Sequence, residues 1–497
     1  MKRNRNWYIF QAIALVLQLL AEVLLGAIVL KLNMLPHKYM VVFIAVLGAL
    51  PVLTALLMFI KVKGSVALWR KILSCVLAIL LACGCVLVSK FATDTYNLLH
   101  SVTGDDSGAP ETYIMVLKEN SAQTLMDTKG YMFAAVEGYD TENTQKLLHV
   151  METETGAKPQ LTYYKQAETM ADALYRKEVD AMIISGVSIS FLEEQLAYQG
   201  LLEQMRILYT LEVEEEKEEP KVPDAQGLAS KPFVVYISGS DTRNKKLTVS
   251  LSDVNILAVI NPKTKQILLV NTPRDYFVPN SAGEGALDKL THCGKYGIDC
   301  SIEALEGLYD VQVDKYGKIN FYGFEAFIDA IGGITVHSEQ AFTTNEGVYI
   351  KKGENTLDGK KALSFSRDRH HVSGGDNGRG KNQMRVIKAV IDKLTGSTTL
   401  ISNYGEILKS LEGMLVTSFR VEEISDLVKM QLSDMAQWNV QSFAVTGRGD
   451  LQITYSYPGE KLSVMWPNED TVAYASGLIQ RVMKGEILTE ADMDMPE

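Results

Sequence analysis

Three apolar stretches crowd the first ninety residues, near Ile9–Leu30, Val41–Ile60 and Ile72–Val88. Each approaches the roughly 17–25 residues that cross a bilayer as helix. Short polar hinges separate them, so the chain is predicted to begin as three membrane helices, the third being the shortest and able to start as far back as Val66. A cleavable signal peptide carries one short apolar core before a small-residue cleavage site and is not followed by two more long apolar runs, so the spans are read as retained. Lys2, Arg3 and Arg5 precede the first span and Lys61, Lys63, Arg70 and Lys71 lie between the second and third, against Lys31 and Lys38 in the other loop. That bias predicts a cytoplasmic N-terminus and an exported chain after about residue 90. Glu22, inside the first span, is either a functional intramembrane carboxylate or a group turned into the bundle to pair or protonate.

The charge balance follows the same division. Residues 1–90 hold ten Lys or Arg and one acid, Glu22; the other 407 residues carry 39 basic and 59 acidic side chains, a net of −20 within an overall −11. An acidic body on a basic, apolar foot is the wrong sign for gripping phosphate backbones, so direct nucleic-acid binding is not expected. With 497 residues the chain exceeds one compact core. Of five cysteines, Cys75, Cys83 and Cys85 fall in the third apolar run and read as small buried thiols, with lipidation the alternative. Cys293 and Cys300 are the exported pair: a local disulfide, free thiols, or, with His292, a zinc set lacking its fourth ligand.

The exported part divides in two. Across 111–211 the runs TYIMVL, YMFAAVE, PQLTYY, DAMIIS and RILYTL alternate with helical patterns (TENTQKLLHVMETE, AETMADALYRK, ISFLEEQLAY), which predicts a small α/β accessory domain. Residues 212–231 pack like charge and two prolines into an acidic linker. From 232 to 485, FVVYIS, VNILAVI and QILLV open a larger α/β domain that holds the chemistry.

Asp241 follows the first of those strands, Asp253 opens the second, and Arg274 follows the third. If the three run antiparallel, as their short loops allow, these residues share one sheet edge. Two carboxylates on exposed loops suit Mg²⁺ held through waters and substrate phosphate; otherwise they are ordinary turn residues. Farther on, Arg367, Arg369, Arg379, Lys381, Arg385 and Lys388 gather within 22 residues, around a glycine-rich loop, Ser373–Gly378, that leads into a helix with Arg379 and Gln383 on one face. A helix N-terminus flanked by guanidiniums is a phosphate or pyrophosphate site; the alternative is a solvated basic face. Asp376 is placed to cap that helix or orient an arginine. His370 and His371 have no metal-ligand spacing and read as loop residues, and Arg448-Gly449-Asp450 reads as a turn.

Asp241 and Asp253 twelve apart, NTPRD at 271–275, DKLTH at 288–292, FEAFIDAIGGITV at 324–336, and Arg367-x-Arg369 followed by Asp376, Arg379 and Gln383 together resemble the LytR, CpsA and Psr family. The three spans and accessory domain resemble its capsule-type CpsA members. The resemblance implies an αβα-type catalytic domain on a multi-pass anchor in a Gram-positive cell membrane. It implies a phosphotransferase that moves a capsular or related cell-wall glycopolymer from undecaprenyl pyrophosphate to peptidoglycan, beside other capsule-assembly proteins. Carried over to this chain, Asp241 and Asp253 would hold Mg²⁺, and Arg274, Arg367, Arg369, Arg379 and Gln383 would clamp the pyrophosphate. Asp376 or Asp275 would accept the proton of the attacking hydroxyl. Phe321, Phe324, Phe327, Ile328 and Ile331 would line a lipid cleft or be plain core. One departure stands out: the family's arginine two positions before the second aspartate is Leu251 here, with Arg243 and Lys245 nearby. A membrane-bound regulator or sensor of capsule synthesis, and a polyprenyl pyrophosphate pyrophosphatase, are the competing expectations.

Overall fold

The structure, a computed structural model, describes residues 2–60, 68–102, 112–137, 141–186, 188–189, 192, 198, 204–211, 227–240, 247, 250–396 and 404–495. Three helices open it: α1 (Lys2–Leu32), α2 (His37–Phe59) and α3 (Leu68–Val102). Within them Trp7–Leu32, His37–Phe59 and Leu68–Asn97 are long and apolar enough to cross a membrane, with hydropathies of 2.6, 2.7 and 2.8. The third is the longest element of the three and not the shortest. Its 35 residues rise roughly 50 Å, well beyond a hydrocarbon core of about 30 Å. It does not stop near Val88 because Ala92, Tyr96 and Leu99 keep helical spacing and pack on Val421 and Ile424 of the larger α/β domain. Large apolar side chains such as Leu20, Val23, Val52 and Leu80 face outward, while Gln11, Gln18, Glu22 and Thr54 are buried between the helices. Glu22 accepts a hydrogen bond from Gln18 Nε2 at 2.8 Å, so it is turned inward and paired. Cys75 and Cys85 are buried as expected, but Cys83 is exposed on the outer surface of the bundle.

The accessory domain is one five-stranded sheet in the order β3-β2-β4-β1-β5. It comprises β1 (Thr112–Leu117), β2 (Met132–Val136), α4 (Thr141–Thr155), β3 (Gln160–Tyr164), α5 (Ala167–Tyr175), β4 (Ala181–Ser185) and β5 (Met205–Leu211). Alternate residues of β1 enter opposite cores: Tyr113 and Met115 pack with α5, Ile114 and Val116 with α4. Most of the predicted ISFLEEQLAY helix, and 212–226 of the acidic linker, lie outside the described residues.

The larger domain begins with the antiparallel meander β6 (Phe233–Ser240), β7 (Val254–Asn261) and β8 (Gln266–Asn271). A small excursion follows: β9 (Phe277–Asn280), β10 (Ala286–Lys289), α6 (Leu290–Cys293) and α7 (Ile298–Tyr309). Next come β11 (Lys315–Asn320), α8 (Phe321–Ala330), β12 (Ile334–Ser338), β13 (Phe342–Thr343), β14 (Tyr349–Ile350), β15 (Gly353–Leu357) and α9 (Gly359–Arg367). The chain closes with α10 (Asp376–Thr395), α11 (Tyr404–Leu411), β16 (Leu415–Thr417), α12 (Val421–Asp434), β17 (Asn439–Ala444), the hairpin β18 (Gly447–Thr454) and β19 (Tyr457–Pro467), and α13 (Glu469–Met483). Six strands form one sheet, β16-β11-β6-β7-β8-β17, with β11 parallel to β6 and β17 parallel to β8.

Both faces of that sheet are covered, which is why its strands read as continuous apolar runs. Val234, Tyr236, Leu257, Val259, Leu268 and Val270 meet α7 and α13 on one side. Phe233, Val235, Ile256, Ala258 and Leu269 meet α10 and α12 on the other. The result is the expected αβα sandwich, each fully buried apolar side chain contributing about 1.5–3 kcal/mol. The Arg-Gly-Asp triplet is not a turn: it lies within β18, where Arg448 pairs with Trp466 and Asp450 accepts the Trp466 Nε1 hydrogen at 3.0 Å. Cys293 and Cys300 are buried free thiols, Cys300 donating to Asn280 Oδ1 at 3.3 Å.

Candidate active site

The meander's register decides the site. Gly239 pairs with Val254 and Ile256 with Asn271, so the end of β6, the start of β7 and the end of β8 share one edge. Asp253, just before β7, donates its backbone N–H to Gly239 O at 2.8 Å. Its Oδ1 meets Arg274 Nη1 at 2.6 Å, both side chains being largely buried. Asp241 lies outside the described residues, as do Arg243 and Lys245. Leu251 is buried at 5% exposure, so packing occupies the place where the family resemblance leads one to expect a guanidinium.

A hydroxyl network fixes the 250–255 segment from below. Tyr236 Oη lies 2.9 Å from Ser252 Oγ and donates to Asn255 Oδ1 at 2.6 Å; Ser238 Oγ is 2.8 Å from Ser252 Oγ, and Ser240 Oγ 2.5 Å from Ser250 Oγ. These groups are buried, so each needs its partner, and together they hold Asp253 in place. Sequence reading missed them, although the signal was there: serines at 238, 240, 250 and 252 stand where the flanking strands are otherwise apolar.

Asp275 and Lys289 form a second pair, Oδ1 to Nζ at 2.8 Å. Burial pushes the Asp275 carboxyl up, but Lys289 and Arg274 outweigh it and hold the group below the usual carboxylate range. Beside them Asp288, fully buried, binds His292 Nδ1 at 2.6 Å and accepts from the Ser456 backbone N–H at 3.1 Å. The DKLTH segment is thereby clamped between the strand edge and the β18–β19 hairpin.

The basic segment arrives from the other side. Gly374 and Gly375 have φ of +86° and +57°, turning the chain into α10 in a conformation that side chains resist. A Cβ on Gly380 would stand 2.2 Å from Asn271 Nδ2, and one on Gly378 2.3 Å from Ser373 O. Gly380 therefore lets the first turn of α10 press against the end of β8, and Gly378 lets it press against the Val372–Ser373 loop before it. Arg379 is buried and bound to Asp376, which orients it without capping the helix; the N-cap is Gly375, with no side-chain bond. Burial lowers the Arg379 pKa, with Arg274 and Arg369 acting the same way and Asp376 and Asp253 opposing. Arg379 thus feels the positive charge of both Arg274 and Arg369, an arrangement that an anion relieves.

Gln383, one turn along, is buried. Arg367 ends α9 with its guanidinium 4.8 Å from the Phe321 ring centroid, and Arg369 is exposed in the loop beyond. Arg385 belongs to another surface, bound to Glu339 and to Asn382 Oδ1. His371 Nδ1 lies 3.0 Å from Asp368 Oδ2 and is a loop residue, as is His370. Of the apolar candidates, Ile328 and Ile331 are enclosed in a core cluster with Ile334, Phe342 and Phe365; Phe324 and Phe327 are only partly buried against it.

A profile of the LytR_cpsA_psr family matches residues 204–470. Among curated proteins, one called polyisoprenyl-teichoic acid–peptidoglycan teichoic acid transferase TagU from Oceanobacillus iheyensis is 34% identical over 223 residues, 44% of this chain and 67% of its own length. Its namesakes from Bacillus subtilis and Enterococcus faecalis are 34% and 31% identical, the alignments covering 39% and 46% of this chain and 63% and 74% of theirs. Among solved structures, B. subtilis TagV superposes with a TM-score of 0.43 at 25% identity, over 51% of this chain and 98% of that one. B. subtilis TagU gives 0.40 at 27%, over 52% and 100%.

Proposed function

This chain belongs to the LytR_cpsA_psr family, and from that premise we propose that it passes a glycopolymer from a polyprenyl pyrophosphate carrier to peptidoglycan through a phosphodiester. The polymer is proposed to be capsular or a related cell-wall glycan, because three spans and an accessory domain precede the catalytic fold as in the capsule-type members. The site is proposed to face outward, in a Gram-positive envelope.

The observation that carries this reading is the convergence of Arg274, Arg379 and Arg369 around Asp253 and Asp376 at the N-terminus of α10. A pyrophosphate supplies the negative charge that such a cluster lacks, and planar guanidiniums bind its oxygens in pairs. An acceptor hydroxyl oxygen attacks the phosphorus nearer the sugar; the new P–O bond forms as the bridging P–O bond breaks, and polyprenyl phosphate leaves. Such a transfer needs placement and charge neutralisation more than covalent help from the protein. The hydroxyl proton is assigned to Asp376, which lies against Arg379, or to Asp275, which Lys289 and Arg274 hold below the usual carboxylate range. The partly buried Phe321, Phe324 and Phe327 of α8 are proposed to meet the carrier's lipid.

Mg²⁺ is part of the proposal. Among the described residues no three His, Cys, Asp or Glu side chains group to hold a metal by themselves. Asp253, whose Oδ1 is engaged by Arg274, has the oxygen chemistry of a Mg²⁺ ligand, with Asp241, water and substrate phosphate as co-ligands. When bound, the ion would neutralise pyrophosphate charge.

Two measurements test the reading. A reporter fused after Val102 should be active only on the outer side of the membrane, since seven positive residues flank the cytoplasmic ends of the spans and two the other loop; a cytoplasmic signal would remove the site from its polymer. The purified chain, given a polyprenyl pyrophosphate-linked glycan and peptidoglycan, should release polyprenyl monophosphate, and no release would contradict transfer.

A further inference from the structure

The accessory domain and the β18–β19 hairpin enclose a cleft of about 490 Å³, away from the arginine cluster. We propose that it is an oligosaccharide-binding site that holds one glycan of the reaction alongside the catalytic edge; the reaction itself is the one proposed above.

Three tyrosines, Tyr296, Tyr455 and Tyr457, line the cleft. Tyr455 is 41% exposed yet anchored. Its ring rests on Gly283, where a Cβ would stand 2.8 Å from it, and its hydroxyl donates to Ala282 O at 3.1 Å. Tyr296 packs beside it at 5.9 Å between centroids, 42° between planes, with its hydroxyl 3.1 Å from Ser456 Oγ. A rigid, exposed ring such as that of Tyr455 is what the C–H face of a sugar stacks on at little entropic cost, with the partly buried Tyr296 beside it. The rest of the lining mixes signs, Lys165 and Lys295 against Glu137 and Glu168, with Gln166 and Ser188 between. That lining has no net field for an anion and no apolar sweep for a lipid, but it offers donors and acceptors to hydroxyls.

The cleft is built by both domains. Tyr457 donates to Glu168 of α5, and Gln166 closes on Gly459, where a Cβ would stand 2.3 Å from its Nε2. It is also mechanically joined to the catalytic edge. Ser456 binds Asp288, Asp288 binds His292, and the adjoining Lys289 binds Asp275 beside Arg274. A glycan held on Tyr296 and Tyr455 therefore sits beside Ser456, which is bonded to the Asp288–Lys289 segment that in turn pairs with Asp275 next to Arg274.

The test uses the full chain in nanodiscs and isothermal titration with two neutral probes: a β-1,4-linked N-acetylglucosamine tetramer, with the chemistry of an acceptor strand, and a hexose tetramer, standing for donor polymer. One of them should bind, and which one tells the source. Tyr455→Ala should weaken that binding about tenfold, the worth of one aromatic contact, and Gln166→Ala by severalfold, while Tyr455→Phe keeps the ring and stays near wild type. Neither tetramer binding at about 10 mM, the weakest affinity such a contact sustains, or equal affinity of Tyr455→Ala and wild type, would overturn the proposal. Release of polyprenyl phosphate, followed in the same preparations, separates the two readings: turnover lost with glycan binding intact counts against transfer, and glycan binding absent with turnover intact counts against the cleft.

Discussion

Arg379→Ala is expected to lower transfer about 10³-fold, the usual consequence of deleting an arginine that neutralises phosphoryl charge in the transition state. The side chain is buried and bound to Asp376, with the Asp253–Arg274 pair acting on it. Arg379→Lys keeps the charge but loses the planar pair of donors, and should recover only part of the rate. Because Gly380 sets the helix against β8 and Gly378 against the preceding loop, neither variant should disturb the fold, and unchanged thermal unfolding checks this. Arg448→Ala, on the exposed face of β18, is the control. Equal rates for the Arg379 and Arg448 variants would mean that the basic segment is only a solvated face.

Asp253→Ala carries the second large effect. It removes the carboxylate that holds Arg274 at 2.6 Å and, in the proposed site, a Mg²⁺ ligand. Turnover should fall about 10²–10³-fold, and the remaining rate should no longer respond to Mg²⁺ or to a chelator. Carrier binding should weaken far less, since Arg379, Arg369 and the apolar wall of α8 are untouched. Combined with Arg379→Ala the losses should be less than additive, because the two side chains act on one bound group. Full Mg²⁺ dependence surviving in Asp253→Ala would remove the metal from this residue.

The parts of this architecture that were legible in the sequence are those written in local pattern. Both exported sheets could be read because their strands are short apolar runs between turn residues. The Asp253–Arg274 pair followed once antiparallel pairing was assumed, because register then places both at one edge. The length of α3 was not legible from hydropathy, since the segment beyond Val88 is polar to a membrane scale; only its docking face on Val421 and Ile424 explains it. Arg448-Gly449-Asp450 resembled a turn because glycine usually punctuates, but cross-strand pairing with Met465 overrides that preference. The Asp288–His292–Ser456 link joins residues 168 positions apart, and no local spacing announces such a contact.

The fate of the phosphorus tests the account most directly. The full chain in nanodiscs would be given a polyprenyl pyrophosphate-linked glycan labelled with ³²P on the phosphate nearer the sugar, together with peptidoglycan and Mg²⁺. The account predicts that label enters peptidoglycan as a phosphodiester, with one polyprenyl monophosphate released per label transferred. Label appearing instead as a free sugar phosphate would make the protein a pyrophosphatase, and tight carrier binding with no label moved would make it a sensor; either result would contradict the transferase.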